Sequence, residues 1–127
     1  MRRALLITLA TLPLLAACVG QPPPASLRVV FFTEDSASLD APAREAVTAA
    51  AADARASNAR VTVRGFAGSQ GGGAFNQALS QTRALAVRDA LVAAGVPVGN
   101  ITVQARGPVP PEGAATESRR VEIAVGA

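Results

Sequence analysis

Histidine, tryptophan, tyrosine and lysine are absent from these 127 residues, and cysteine occurs once, at Cys18. Without histidine the usual proton shuttle is missing, and with one thiol most metal-ligand sets cannot be assembled. No cofactor and no resident metal are therefore expected, and no nucleophile–base pair points to an enzyme. The lack of lysine also disposes of a phosphate-loop reading of Gly68-Ser69-Gln70-Gly71-Gly72-Gly73, because that loop needs a lysine and its G-x-G-x-x-G relative needs a different spacing. The segment reads as a flexible turn ahead of a helix. The formal charge of +3 includes Arg2 and Arg3. Without these two there remain 12 − 2 = 10 basic against 9 acidic residues, or +1, which argues against a nucleic-acid partner. A chain of this length has room for one compact domain.

The N-terminus has a different composition. Met1-Arg2-Arg3 is a short cationic head, and Ala4 to Leu15 is an apolar run interrupted by Thr8, Thr11 and Pro13. The run is too short for a permanent transmembrane helix and suits the core of a signal peptide. It ends in Leu15-Ala16-Ala17-Cys18, which resembles the lipobox of bacterial lipoproteins. That resemblance implies a signal peptide over residues 1–17, cleavage before Cys18, and a lipid anchor on Cys18. Several acyl chains hold a protein to a membrane where one binds only marginally. Val19 follows the cysteine where an aspartate would signal retention, so the usual sorting rule implies the outer membrane, with the domain in the periplasm. Residues 18–26, with Pro22-Pro23-Pro24, read as a short extended tether.

From Leu27 to Ala127 the pattern is that of a folded domain. Leu27, Val29 and Phe31 alternate with Arg28, Val30 and Phe32, a period of two that predicts a strand. Both of its faces are apolar, which predicts a central position. Asp40 is placed to cap a helix entered at Ala41-Pro42 and running to about Ser57, with Ala43, Val47, Ala50 and Ala54 on one stripe. A second strand is expected over residues 60–66, and a second helix from about Phe75 to Ala94, ended by Gly95. Ile101, Val103 and Ala105, then Val121, Ile123 and Val125, mark two further strands. The order β-α-β-α-β-β predicts an α+β fold, a two-layer α/β sandwich with a mixed sheet and two helices on one face.

Three groups of residues carry a resemblance to a family. Asn76-Gln77-Ala78-Leu79-Ser80-Gln81-Thr82-Arg83-Ala84 resembles the N-x-x-L-S-x-x-R-A helix of OmpA-like domains; Val87, Leu91 and Gly95-Val96 continue it, and Arg119-Arg120-Val121-Glu122-Ile123 resembles the N-R-R-V-E-I ending. Acylated cysteine, short tether and single domain together resemble the layout of peptidoglycan-associated lipoproteins. The resemblance implies non-covalent binding of a diaminopimelate-type stem peptide, joining outer membrane to cell wall. Arg83 would grip a carboxylate of that peptide, with Arg119 and Arg120 bordering the site and Ser69 and the turn at Gly68 assisting.

Arg83 is conspicuous without the family. It lies on the helix face shared by Leu79, Ala86, Val87, Ala90 and Ala94, and a charge there needs either a partner inside the protein or a ligand. Departures from the family pattern sit on the ligand side. The G-H-T-D-S-x-G turn stands here as Gly65-Phe66-Ala67-Gly68-Ser69-Gln70-Gly71, with Gly68 where the family has an aspartate that pairs an ammonium. Ser118 replaces an asparagine, and the loop from Gly107 to Glu117 is shorter than usual. Half of a zwitterion clamp is missing, so the alternative is a degenerate domain that serves as an envelope scaffold with a protein partner. Glu34, Asp35 and Asp40 read as a solvated turn and helix cap; substitution by one of them for the absent aspartate is left open.

Overall fold

The computed structural model describes residues 26–109 and 115–126. The expected signal peptide, Cys18 and the tether as far as residue 25 lie outside the described residues. The elements run β1 (Ser26–Phe31), α1 (Ala41–Ser57), β2 (Val61–Ala67), α2 (Gly73–Ala93), a 3-10 turn (Val98–Asn100), β3 (Ile101–Pro108), a one-turn helix α3 (Ala115–Ser118) and β4 (Arg120–Val125). The strand order across the sheet is β1-β4-β2-β3. Strands β2 and β3 are parallel, joined by α2, and β4 runs antiparallel to both β1 and β2. This is the mixed α+β sheet that the order of elements predicts.

Burial explains the arrangement. Val30, Val61, Val63, Val121, Ile123 and Val125 point to one side of the sheet, where they meet Ala43, Val47, Ala50, Ala51 and Ala54 of α1 and Ala84, Val87 and Leu91 of α2. Removing a branched apolar side chain from water contributes about 1.5–3 kcal/mol, so this shared face is what joins the layers. The alanine stripe keeps α1 close to the sheet. Its first turn is closed by Asp40, whose carboxylate accepts from the Ala43 N–H at 2.9 Å, a cap worth about 1 kcal/mol. At the far end of α2, Gly95 takes φ 98° and the Val96 N–H returns to the Leu91 carbonyl at 3.1 Å.

One expectation fails. Strand β1 is an edge, not a central strand. Val30 and Phe32 face the core, but Leu27, Val29 and Phe31 on the opposite face are 59%, 37% and 47% exposed. Apolar residues on both faces were equally compatible with a half-covered edge, because alternation reports period and not what covers each face. Arg28, on the inner side at the strand's start, pairs with Asp53 of α1 at 2.8 Å, which fastens the edge to the helix layer.

Gly65 sets the approach of α2 to the sheet. A Cβ there would overlap the Ser80 carbonyl oxygen and come within 3.0 Å of the Ala84 Cβ. Backbone meets backbone at this crossing, and the register of β2 with β3 shifts between Gly65 and Phe66. The close crossing puts the first three turns of α2 against the loops at one end of the sheet.

Candidate functional site

Asn76, Ser80 and Arg83 of the Asn76-to-Arg83 motif each fasten a neighbouring segment. Asn76 Nδ2 donates to the Gln70 carbonyl at 2.7 Å, which closes the glycine turn over the start of α2. Ser80 Oγ accepts the Gly107 N–H at 3.1 Å and donates to the Gln77 carbonyl at 2.8 Å, so the end of β3 is held as well. Arg83 reaches furthest. Its Nε donates to the Ser36 carbonyl at 2.8 Å, Nη2 to the Thr33 carbonyl at 3.0 Å, and Nη1 to the Phe66 carbonyl at 3.4 Å. Its guanidinium carbon lies 5.3 Å from the centroid of the Phe32 ring.

These bonds resolve the question that the sequence leaves about Arg83. It is fully buried, and its partners inside the protein are backbone carbonyls of the β1–α1 loop and of β2 rather than a carboxylate. Three acceptors engage three of the five guanidinium N–H groups, leaving two donors. Burial pushes its pKa below the usual arginine value; the like charge of Arg119 adds to this, and Asp35 opposes it.

The β1–α1 loop, the glycine turn, the first turns of α2 and the bend before β4 enclose a cleft of about 70 Å³, lined by Glu34, Asp35, Gly68, Ser69, Gln70, Asn76, Leu79, Arg83, Ser118 and Arg119. That volume admits a charged head group rather than a whole peptide. Arg119 approaches from the start of β4, donating from Nε to the Phe32 carbonyl at 3.2 Å and from Nη2 to Thr116 Oγ1 at 3.3 Å. It is only half-buried, so of the two guanidinium groups it is the more accessible. Arg83 lies behind it as a fixed positive floor. Glu34 and Asp35 line the same cleft from the β1–α1 loop and are exposed.

Four of the five expected site residues, Arg83, Arg119, Gly68 and Ser69, are thus brought to one cleft. Arg120 is not among them. Its guanidinium carbon lies 4.0 Å from the centroid of the Phe66 ring, Nε pairs with Glu122 at 3.1 Å, and Nη1 donates to the Glu117 carbonyl at 2.8 Å. Arg120 opens β4 whereas Arg119 lies in the bend before it, and the two side chains take different partners. Gly68 is outside the left-handed region, and a Cβ added there would meet only Ser118 Oγ, at 3.3 Å. The glycine is therefore not demanded by its backbone. Sequence reading named Glu34 and Asp35 but had no means to place them at the cleft, and it missed Gln70; Asn76 and Leu79 were visible as motif positions without a role. Among the described residues there is no group of acidic or thiol side chains arranged to hold a metal ion.

Comparison with known proteins places this geometry. An outer membrane protein of Gluconacetobacter diazotrophicus is 36% identical over 115 residues, covering 80% of this chain and 30% of that protein. The chain spans less than a third of that relative's length. The peptidoglycan-associated lipoprotein from Burkholderia pseudomallei shares the fold with a TM-score of 0.70 and 25% identity, over 77% of this chain and 89% of that one. The cell wall anchor of the T6SS from Pseudomonas aeruginosa has a TM-score of 0.66 and 26% identity, over 81% and 82% of the two chains. With the OmpA family model matching residues 31–123, across the sheet, both long helices and the cleft between their loops, the chain belongs to the OmpA family.

Proposed function

We propose that this protein binds peptidoglycan non-covalently and, through lipids on Cys18, holds the outer membrane to the cell wall. The observation that carries the reading is the cleft, where Arg83 of α2 and Arg119 ahead of β4 supply a positive pole among loops that α2 holds in place. A planar guanidinium matches a carboxylate in a two-pronged contact, and the carboxylates of a diaminopimelate-type stem peptide are of that kind. Recognition is binding without bond chemistry. The similar proteins named above include a peptidoglycan-associated lipoprotein and a cell wall anchor, which supports the same ligand here. Co-sedimentation of the detergent-solubilised protein with purified peptidoglycan tests it. Retention that free diaminopimelate-containing muropeptide displaces is the expected result; no retention would reject it.

A second reading has its own observation. The edge strand β1 leaves Leu27, Val29 and Phe31 exposed on the outer face of the sheet, and exposed strand edges pair readily with other chains. Together with Gly68 in the turn, this favours an envelope scaffold that contacts a protein partner. Crosslinking in intact cells that survives digestion of the wall would select it.

A further inference from the structure

The two long helices cover one face of the sheet, and β1 brings apolar side chains to the other. Leu27, Val29 and Phe31 form an exposed row on that outer face. On β4 they are registered with Ala124, Glu122 and Arg120, and Glu122 is registered in turn with Arg64 of β2. Glu122 lies between the two arginines, 3.1 Å from Arg120 and 4.0 Å from Arg64, so two positive charges face one negative. An apolar row edged by net positive charge suits the head-group region of an anionic bilayer. Apolar side chains enter the acyl boundary there, and guanidinium groups stay with the phosphates.

Geometry limits what can cover this row. The three side chains stand off the sheet, so a strand added at the free edge of β1 would pair its backbone and still leave them in water. A cover has to lie against the face itself. Seven residues, Val19 to Ala25, separate Cys18 from the start of β1 at Ser26. At no more than about 3.6 Å per residue, Ser26 stays within about 30 Å of the cysteine. A domain of about 100 residues, with a radius of gyration of about 13 Å, is itself about that wide. Strand β1 is therefore the element next to the anchor, and Leu27 is the member of the row nearest to it. Confinement by a short tether sets an effective concentration on the order of millimolar, so a contact that is weak by itself is enough to keep the face down.

We propose that the outer face of β1, with Arg120 and Arg64 beside it, docks on the anionic surface of the bilayer that holds the lipids of Cys18. The inference rests on the lipid anchor of the proposed function. It adds a second contact that holds the domain in one orientation, where a tether alone would let it turn. Leu27, Val29, Phe31, Arg64 and Arg120 do not line the cleft, which lies past the far end of β1, so docking leaves the cleft uncovered.

The test uses the acylated protein, purified in detergent and reconstituted into vesicles of phosphatidylethanolamine and phosphatidylglycerol. Cys18 is the single cysteine, and its thiol is taken by the lipid on the proposed function, so one introduced cysteine accepts a polarity-sensitive fluorophore at a chosen place. Val29→Cys places it on the outer face, and Ala52→Cys on the exposed side of α1. Leu27→Cys is a second outer-face position should Val29→Cys fail to fold. The expected result is blue-shifted emission from the outer face, quenched by nitroxide-bearing lipids, with emission at position 52 as in water. Exchanging phosphatidylglycerol for phosphatidylcholine should move the outer-face emission towards that of water. Water-like emission from both faces, in protein that floats with the vesicles, would overturn docking and leave the anchor standing. A blue shift that lipid nitroxides do not quench, and that grows with protein density, would overturn it in favour of a second copy of the chain. Protein that carries no acyl chain on Cys18 and does not float would reject the anchor, and docking with it.

Discussion

The Nε of Arg83 on α2 donates to the Ser36 carbonyl at 2.8 Å, joining residues 47 positions apart. Two more carbonyls, of Thr33 and Phe66, accept from its Nη2 and Nη1. One side chain therefore fixes the β1–α1 loop against the end of β2, and the same side chain is the floor of the cleft. On the proposed function, structure and recognition cannot be separated at this position.

Arg83→Ala should accordingly be a stability variant before it is a binding variant. It leaves three carbonyls without their donor and a cavity where a large side chain stood, losses that together cost about 2–5 kcal/mol. Arg83→Lys should fall between, because one ammonium cannot reach three carbonyls in a planar fork. Urea unfolding of the three forms measures both. If Arg83→Ala unfolds at the wild-type midpoint, water is satisfying those carbonyls and the loop does not depend on the arginine.

Gly65→Ala should be comparably harmful for a different reason. The added methyl meets the Ser80 carbonyl and the Ala84 Cβ, both on α2, and neither is the flexible end of a side chain. Either the helix moves off β2 or the bulge at Gly65/Phe66 changes, at a cost of about 1–3 kcal/mol or more for an overpacked core. A helix displaced here also shifts Arg83, so weakened muropeptide binding should accompany the lower midpoint. Unchanged stability would show that the crossing has more slack than its backbone contact suggests.

The core was legible because its signal is periodic. Val61 and Val63, Val121 and Ile123, and the alanine stripe of α1 declare their faces by spacing alone, and the Asp40 cap by residue type. The place of β1 was not legible, since Leu27, Val29 and Phe31 alternate identically whether a face is covered or wet. Within the site, Arg83 stood out as a charge on an apolar face, but its partners are main-chain carbonyls, and every residue has one. Nothing in the residue types of Thr33, Ser36 and Phe66 announces that their carbonyls converge. Asp35 and Gly68, 33 residues apart in sequence, line one cleft, a juxtaposition that no local pattern encodes.

Cys18→Ser should abolish membrane anchoring, on the proposal that Cys18 carries the lipid. Serine offers no thiol for the thioether, and the precursor should then accumulate with its first 17 residues intact. Detergent partitioning with mass spectrometry of the N-terminus reads both effects. Wild-type protein found unacylated and cut elsewhere would remove the anchor from the proposal and leave the domain's binding untouched.

The last prediction concerns Gly68. It lines the cleft, and a Cβ there is opposed only by Ser118 Oγ at 3.3 Å, so Gly68→Asp brings a carboxylate to the turn after β2 with a shift of a few tenths of an ångström. Its backbone adds no further cost, because Gly68 does not take a left-handed conformation. On the peptidoglycan proposal, a diaminopimelate-type ligand presents an ammonium beside its carboxylate, and the added side chain offers that ammonium a charge-assisted contact of about 1.5–3 kcal/mol. Gly68→Asp should therefore bind a diaminopimelate-containing muropeptide more tightly than wild type, as calorimetric titration into both folded forms would measure. Tight binding by wild type with no gain on substitution would mean that another group already fills that role.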